Sequence, residues 1–458
     1  MVEQHSASKK AKVDPSVEEG EPSDAGEAPL TSNLPPLPLC QVDRFWLQKL
    51  VLKHCNKEAH ASDVNFLRDN VKIYASAPMV DQSDLAFRLQ CRKYGTNICF
   101  TPMIHAKLFT TMPTYRAKFG LENVPAADRP LIAQLCGGTD PETMLQCALQ
   151  LQDYCDGIDI NCGCPQQIAR RGNYGAFLLE QEEALVTLVK YMAPRLKVPL
   201  SVKVRLLPEE DLEKRRSTSL KLYTRLVDAG IHLLTVHGRT RHQKKNLTGA
   251  ADWDAIASVV EKLSPRIPIL ANGSIGSAQD VQDCLKATKA DGIMSSEAIL
   301  EYPPFFEPMT LDGNVVPKPR VARLALAREY LALALQYPPN KGGQASGFKC
   351  IRIHMHRFLH AELQVHINIR DAIVRAKDVD GLKTALADLE KIYEKLQHNP
   401  QEEELTWYLR YRVEQESCSP QLQEEDDNGK KNEEEEEEPP PDIGGSAIFG
   451  GKDDDGDY

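Results

Sequence analysis

The sequence predicts an α/β protein, a closed (β/α)8 TIM barrel followed by a small all-helical domain, with disordered acidic tails at both ends. Three observations predict it. Between residues 71 and 310, eight short apolar runs alternate with segments of helical length. From Pro317 to about Arg412 the runs give way to long amphipathic stretches separated by Pro/Gly turns. Residues 1–40 and 413–458 lack any apolar period and are rich in Pro, Ser and Glu, a composition that cannot bury a core.

The eight runs are Val71–Ala75, Asn97–Phe100, Leu131–Leu135, Gly157–Ile160, Leu200–Val204, Leu233–Val236, Ile267–Leu270 and Gly292–Met294. Between them, segments such as Glu142–Tyr154, Glu182–Arg195 and Ser277–Thr288 repeat Leu, Ala and Val at helical spacing. An open doubly wound sheet is the alternative. It calls for a Gly-x-Gly-x-x-Gly turn after the first strand, and none is there. Residues 41–70 form an extension ahead of the barrel with no evident role. In the helical region, Val321–Leu335, Phe348–Leu363 and Gly381–Leu396 are the expected helices. Arg352, Arg357, Arg370, Arg375 and Lys377 interleave there with His354, His356, His360 and His366. Such a face suits phosphates, or is an ordinary solvated helix surface.

Composition narrows the class. No uninterrupted apolar stretch approaches the ~20 residues that span a bilayer, so no membrane partner is expected. Met1–Leu30 has no apolar h-region, which predicts a cytoplasmic or nuclear protein, the latter through Lys9-Lys10-Ala11-Lys12. The 12 cysteines include no Cys-x-x-Cys pair, which disfavours a zinc ribbon or redox dithiol. The net charge of −11 hides a division. Residues 413–458 hold 17 acidic and 3 basic side chains and residues 1–40 hold 7 and 3, leaving a body of +7. A basic body is what a polyanion binder needs, though an ordinary surface fits too.

In a TIM barrel, polar residues at the carboxyl ends of the strands converge on one site. The eight ends here give Ala77-Pro78-Met79-Val80-Asp81, Thr101-Pro102-Met103-Ile104-His105, Gln134 within its strand, Asn161-Cys162-Gly163-Cys164-Pro165, Lys203 with Arg205, His237-Gly238-Arg239-Thr240, Asn272-Gly273-Ser274 and Ser295-Ser296-Glu297. Any one of these has a structural explanation. All of them at equivalent positions point to one shared site. Lysine, histidine and an embedded glutamine suit a flat heteroaromatic that becomes anionic on reduction, as a flavin does. On that reading the Met79 backbone and Gln134 meet the ring edges. Gly273 leaves room for a phosphate, with the helix beginning near Ser277 aimed at it. No metal is called for, since His105, His237 and His242 lack carboxylate or thiolate partners at ligand spacing. Cys164, held between Gly163 and Pro165, is either a structural thiol or an acid tuned by Lys203 and Arg205. Cys162 reads as packing.

Together these residues resemble the tRNA-dihydrouridine synthases from about Ala77 to Tyr302, and more loosely beyond. The resemblance rests on Ala77-Pro78-Met79-Val80-Asp81-Gln82-Ser83, Tyr115-Arg116, Asp128-Arg129-Pro130, Gln134-Leu135, Asp159-Ile160-Asn161-Cys162-Gly163-Cys164-Pro165, Arg171-Gly172-Asn173-Tyr174-Gly175-Ala176, Lys203-Val204-Arg205, Val236-His237-Gly238-Arg239-Thr240 and Ala271-Asn272-Gly273. The wording is most similar to the eukaryotic branch acting on D-loop uridines 16 and 17. It implies an FMN-bound barrel, a helical tRNA-binding domain, and NADPH or NADH as reductant. Pro78, Met79, Val80, Gln134, Lys203, His237, Asn272, Gly273 and Ser274 would then bind FMN. Asn161 and Arg205 would contact the uracil, and Cys164 would protonate C5 as hydride reaches C6. Many members carry Gly-Arg after the eighth strand. Here Ser296-Glu297 stands instead and supplies no cation, so their backbone amides would meet the phosphate. A monomer is expected. A flavin barrel acting on a small molecule and a tRNA-binding chaperone stay open as alternatives.

Overall fold

The computed structural model describes residues 42–55, 57–244, 247–339 and 347–396. The two acidic tails and the Lys9–Lys12 cluster lie outside the described residues. Nine strands form, β1 Ile73–Ser76, β2 Ile98–Phe100, β3 Ile104–His105, β4 Leu131–Cys136, β5 Gly157–Cys162, β6 Leu200–Leu206, β7 Leu233–Thr240, β8 Ile269–Asn272 and β9 Gly292–Ser295. The sheet order is β2-β1-β9-β8-β7-β6-β5-β4-β3, and a further β2–β4 pairing closes eight of the strands into a barrel. The pairings between named strands are parallel throughout. All eight expected runs are strands. Two-residue β3 was not expected; it lies beside the upper half of β4, pairing Ile104 with Leu135.

Alternation along each strand sorts the side chains onto two faces. Ile73, Ala75, Ile98, Phe100, Ile132, Leu233, Leu270 and Met294 share one apolar cluster inside the barrel. Their neighbours Tyr74, Cys99, Ala133, Leu234, Ile269 and Ile293 belong to the outer core under the helices. On β5, β6 and β7 the inward series turns polar, with Asp159, Ser201 and Thr235 all buried.

The extension acquires a role. Helices Trp46–His54 and Val64–Asn70 add Trp46, Leu47, Val51, Leu52 and Leu67 to the inner cluster. Trp46 Nε1 donates to the His232 carbonyl at 2.9 Å, while Arg44 and Gln48 reach Asp291 at 2.5 and 3.2 Å. His232 and Asp291 precede β7 and β9, so the extension plugs the amino end of the barrel. Each apolar side chain buried there contributes about 1.5–3 kcal/mol. Only the carboxyl end is left open for chemistry.

Among the described residues five helices follow the barrel, Arg323–Gln336, Phe348–Phe358, His360–Val365, Ile367–Arg375 and Val379–Leu396. The expected helix Phe348–Leu363 breaks at Leu359 (φ −101°, ψ 17°), and Ile367–Arg375 was not read from the sequence. Tyr330 and Phe358 join the same core as Phe87 of the barrel helix Leu85–Lys93. Gln90 Nε2 donates to the Leu326 carbonyl at 2.9 Å, and buried Arg323 pairs with Glu301 at 3.2 Å. The anticipated cationic face is divided as a result. His354 and Arg357 are buried, and Arg352 Nη1 donates to the Val374 carbonyl, leaving Arg370, Arg375 and Lys377 toward solvent. Among the described residues no helix is long and apolar enough to cross a membrane.

Candidate active site

A chain of hydrogen bonds runs under the carboxyl mouth. Ser201 Oγ donates to Asp159 Oδ1 at 2.6 Å, and Gln134 Nε2 donates to Asp159 Oδ2 at 2.7 Å. Asn161 Nδ2 then donates to Gln134 Oε1 at 2.8 Å. Asn161 Oδ1 accepts from the backbone N–H groups of Gly163 and Cys164 at 3.1 and 3.0 Å, folding the chain after β5 into an Asx-type turn. A carboxylate only accepts, so Asp159 fixes which end of each amide faces which neighbour. Burial raises the Asp159 pKa to about 6, against the hydrogen bonds from Ser201 and Gln134 and the charge of Lys203.

Gly163 in this turn is not left-handed, and there is room there for a side chain. A Cβ on Gly163 would lie 3.7 Å from the Lys203 carbonyl and 3.9 Å from Lys203 Nζ. The left-handed glycine is Gly175 (φ +67°), where a Cβ would come 2.6 Å from the Cys164 carbonyl. Ala176 N donates to that same carbonyl at 3.0 Å. Cys164 is therefore pinned at both its N–H and its C=O. Burial raises its thiol pKa, while a backbone hydrogen bond from Gln166 and the charges of Arg205, Lys203 and Lys244 pull back. It holds its proton, as an acid must. Cys162 is fully buried and pushed far up by burial, the packing role read for it.

Two cations face this thiol. Lys203 Nζ donates to Asn272 Oδ1 at 3.1 Å, and Asn272 Nδ2 donates to the Met294 carbonyl at 2.8 Å. Arg205 spends Nε on the Gly163 carbonyl at 2.9 Å and Nη1 on the Thr240 carbonyl at 2.8 Å. Neither Lys203 nor Arg205 forms an ion pair with a described residue. Burial, then the charge of Arg205, lowers the Lys203 pKa to about 8. Burial, then Arg239, lowers that of Arg205 to about 10. His237 is held well below the usual imidazole value by burial and by Arg205, Lys203 and Arg239, so it is neutral.

Beyond β8 the backbone turns tightly against neighbouring side chains. Gly273 sits at φ +109°, and a Cβ there would stand 2.9 Å from both His237 Cδ2 and Ala251 Cβ. Trp253 Nε1 fixes the Gly273 carbonyl at 3.1 Å. Ser274 (φ +57°) accepts at Oγ from Arg239 Nη2 at 3.0 Å and from Ala251 N at 2.7 Å. Arg239, whose Nη1 lies 3.3 Å from His237 Nε2, was missed as a site residue. Its signal was in the sequence, because two residues past His237 is the same inward face of a strand.

Three expectations change. The Met79 N–H and carbonyl both engage Ser83 Oγ, at 3.0 and 2.9 Å, so that backbone is already satisfied. The helix start at Ser277 is closed on itself, Ser277 Oγ accepting from Asp280 N at 3.0 Å and Asp280 Oδ2 from Gly276 N at 2.8 Å. Asn161 uses its amide to shape the Cys164 turn. Pro78, Met79 and Val80 are partly buried at the mouth. Val80 and Cys164 flank one small cluster of Met103, Cys136, Ala169 and Tyr174. Ser296 precedes the short helix Glu297–Glu301, and the Glu297 side chain is exposed.

Fold and site define a (β/α)8-barrel protein with a protonated thiol at its carboxyl mouth, beside Lys203 and Arg205, which form no ion pair with a described residue. The chain belongs to the Dihydrouridine synthase (Dus) family, whose model matches residues 75–397. It is 40% identical over 306 residues to a Mus musculus protein called tRNA-dihydrouridine(16/17) synthase [NAD(P)(+)]-like, covering 67% of this chain and 59% of that one. A Rattus norvegicus protein of the same name is 41% identical, covering 67% and 64%. The Saccharomyces cerevisiae tRNA-dihydrouridine(16/17) synthase [NAD(P)(+)] is 37% identical, covering 65% and 67%. The chain thus spans less than two thirds of the length of the two rodent relatives.

Proposed function

We propose that this chain reduces the C5–C6 bond of uridine to dihydrouridine in the tRNA D-loop, at positions 16 and 17, with FMN as hydride carrier and NADPH or NADH as reductant. The names of its relatives support the substrate, the positions and the nicotinamide. The observation that carries the chemistry is Cys164, pinned at both backbone groups and protonated beside two cations that form no ion pair with a described residue.

The residues fit FMN. Lys203 has a buried charge to offer an anionic ring edge, and the Gly273 turn brings its backbone up to His237 more closely than a Cβ would allow. His237 and Asn272 stand at the same mouth, with fully buried Gln134 hydrogen-bonded beneath them. Pro78, Met79 and Val80 flank it, and Ser274, Ser296 and Glu297 would meet the phosphate. When bound, FMN supplies hydride to C6 of the uracil. Arg205 Nη2 makes no hydrogen bond with a described residue and is placed to donate to a uracil oxygen, with Asn161 holding the turn beneath. Cys164 gives its proton to C5. The thiolate left behind is stabilised by Arg205 and Lys203 until solvent returns the proton. The base must leave its stack to reach this site, at a cost of a few kcal/mol that is least in a loop. Exposed Arg170, Arg171 and Lys244 surround the mouth without ion pairs to described residues, as phosphate contacts require.

Cys164→Ala is expected to keep FMN and tRNA affinity while lowering turnover about 10²–10⁴-fold. Equal turnover would remove Cys164 from the mechanism. Mapping dihydrouridine in tRNA from cells lacking the gene tests the substrate, and positions 16 and 17 that stay modified would overturn the assignment. A purified protein that FMN cannot colour would sink the flavin chemistry.

A further inference from the structure

The exit from β1 is held from outside the barrel. Ala77 N donates to the Ser295 carbonyl at 2.9 Å, and past Met79 the chain turns sharply, with Asp81 at φ +56°. That left-handed geometry costs an aspartate energy unless its neighbours fix it. Two residues of the helical domain do so. Cys350 Sγ lies 2.9 Å from the Asp81 carbonyl and donates to it. His354 Nε2 stands 2.9 Å from Asp84 Oδ1, while Asp84 Oδ2 caps the helix Leu85–Lys93 through Phe87 N at 3.3 Å. Tyr330 Oη lies 3.4 Å from both carboxylate oxygens.

The surroundings fix this contact. His354 is fully buried, its ring stacked on Phe87 (centroids 4.9 Å, interplanar 22°) and 4.5 Å from that of Tyr330. Arg88 Nη1 donates to the Ser83 carbonyl at 2.7 Å, with its other nitrogens on buried Asp128. Burial works against the Asp84 charge, yet the hydrogen bond and charge of His354, with Arg88, hold its pKa below the usual carboxylate value. At the other end of the same loop, Val80 packs against the cluster that Cys164 also flanks. One cluster thus joins the Asp81–Asp84 loop to the surroundings of Cys164.

We infer that His354 and Cys350 are positioning residues for the Pro78–Val80 edge of the candidate flavin site, so that the helical domain helps to hold the cofactor. The inference rests on the FMN reading above. Two predictions distinguish it from simple domain docking. His354→Ala, assayed where circular dichroism shows it fully folded, should weaken FMN roughly tenfold by flavin fluorescence, the scale of one buried charged hydrogen bond. His354→Gln, which returns a donor to Asp84, should recover most of the loss. Binding is reciprocal, so FMN added to the wild-type protein should slow amide hydrogen exchange in Phe348–Phe358, a readout that needs no variant to fold. Unchanged FMN affinity in folded His354→Ala, or unchanged exchange in that helix, overturns the positioning role. A wild-type protein that binds no FMN overturns instead the reading it rests on.

Discussion

Lys203 shows how a single residue tunes the candidate site. Its folded pKa of about 8 lies below its ordinary value because burial and Arg205 oppose the charge. The direction of the pH effect follows. The folded state holds fewer protons than the unfolded chain between about 8 and about 10.4, so through this group stability rises with pH across that interval. A bound anion prefers the charged lysine. FMN affinity is therefore expected to fall as pH rises above about 8. Fluorescence titration of Lys203→Met should show weaker binding, and the slope across that range should flatten. A wild-type affinity level across the same range would mean that the lysine does not face the anion. Neutral His237 titrates too low to mimic this, and Arg205, lowered to about 10, adds only at the upper end of the interval.

Among the elements, the two helices of the extension mattered most and said least in the sequence. Their apolar residues Trp46, Leu47, Val51 and Leu52 look like an ordinary amphipathic surface until the barrel end they plug is present. Leu52 is completely buried. Leu52→Ala should cost about 2–5 kcal/mol in denaturant unfolding, the range for a leucine truncated in a packed core. FMN affinity should stay unchanged, since the plug lies at the opposite end of the barrel from the candidate site. A loss of flavin at full occupancy of the native state would show that the two ends of the barrel are coupled.

For the whole molecule, charge is the property that matters. A body of +7 is joined to a 46-residue carboxyl segment of −14. The exposed cations nearest Cys164 lack ion pairs with described residues, so tRNA affinity should fall linearly with log salt as counterions are released. Deleting residues 413–458 removes a competing polyanion and should tighten tRNA binding at low salt, measured by filter retention. Equal affinity with and without the segment would mean that its charge does not reach the RNA surface. The helical domain shares a core with the barrel through Phe87, Tyr330 and Phe358, so it does not behave as a detachable module.

The sequence by itself determined the barrel, its eight strands and most of the strand-end residues. It could do so because alternation with period two and the carboxyl-end rule are local properties of the chain. The carboxyl-end rule brought Gln134, Asn161, Lys203, Arg205 and His237 to one end of the barrel, and strand parity carried two residues past His237 would have added Arg239. Only the tertiary structure decided which polar groups were already satisfied. Met79, Asn161 and the helix start at Ser277 all find partners within a few residues of themselves. Only the fold could reveal the plug at the amino end and the reach of His354 to Asp84 across 270 residues. Contacts at that separation leave no period in a sequence, because they depend on where two independently formed surfaces meet.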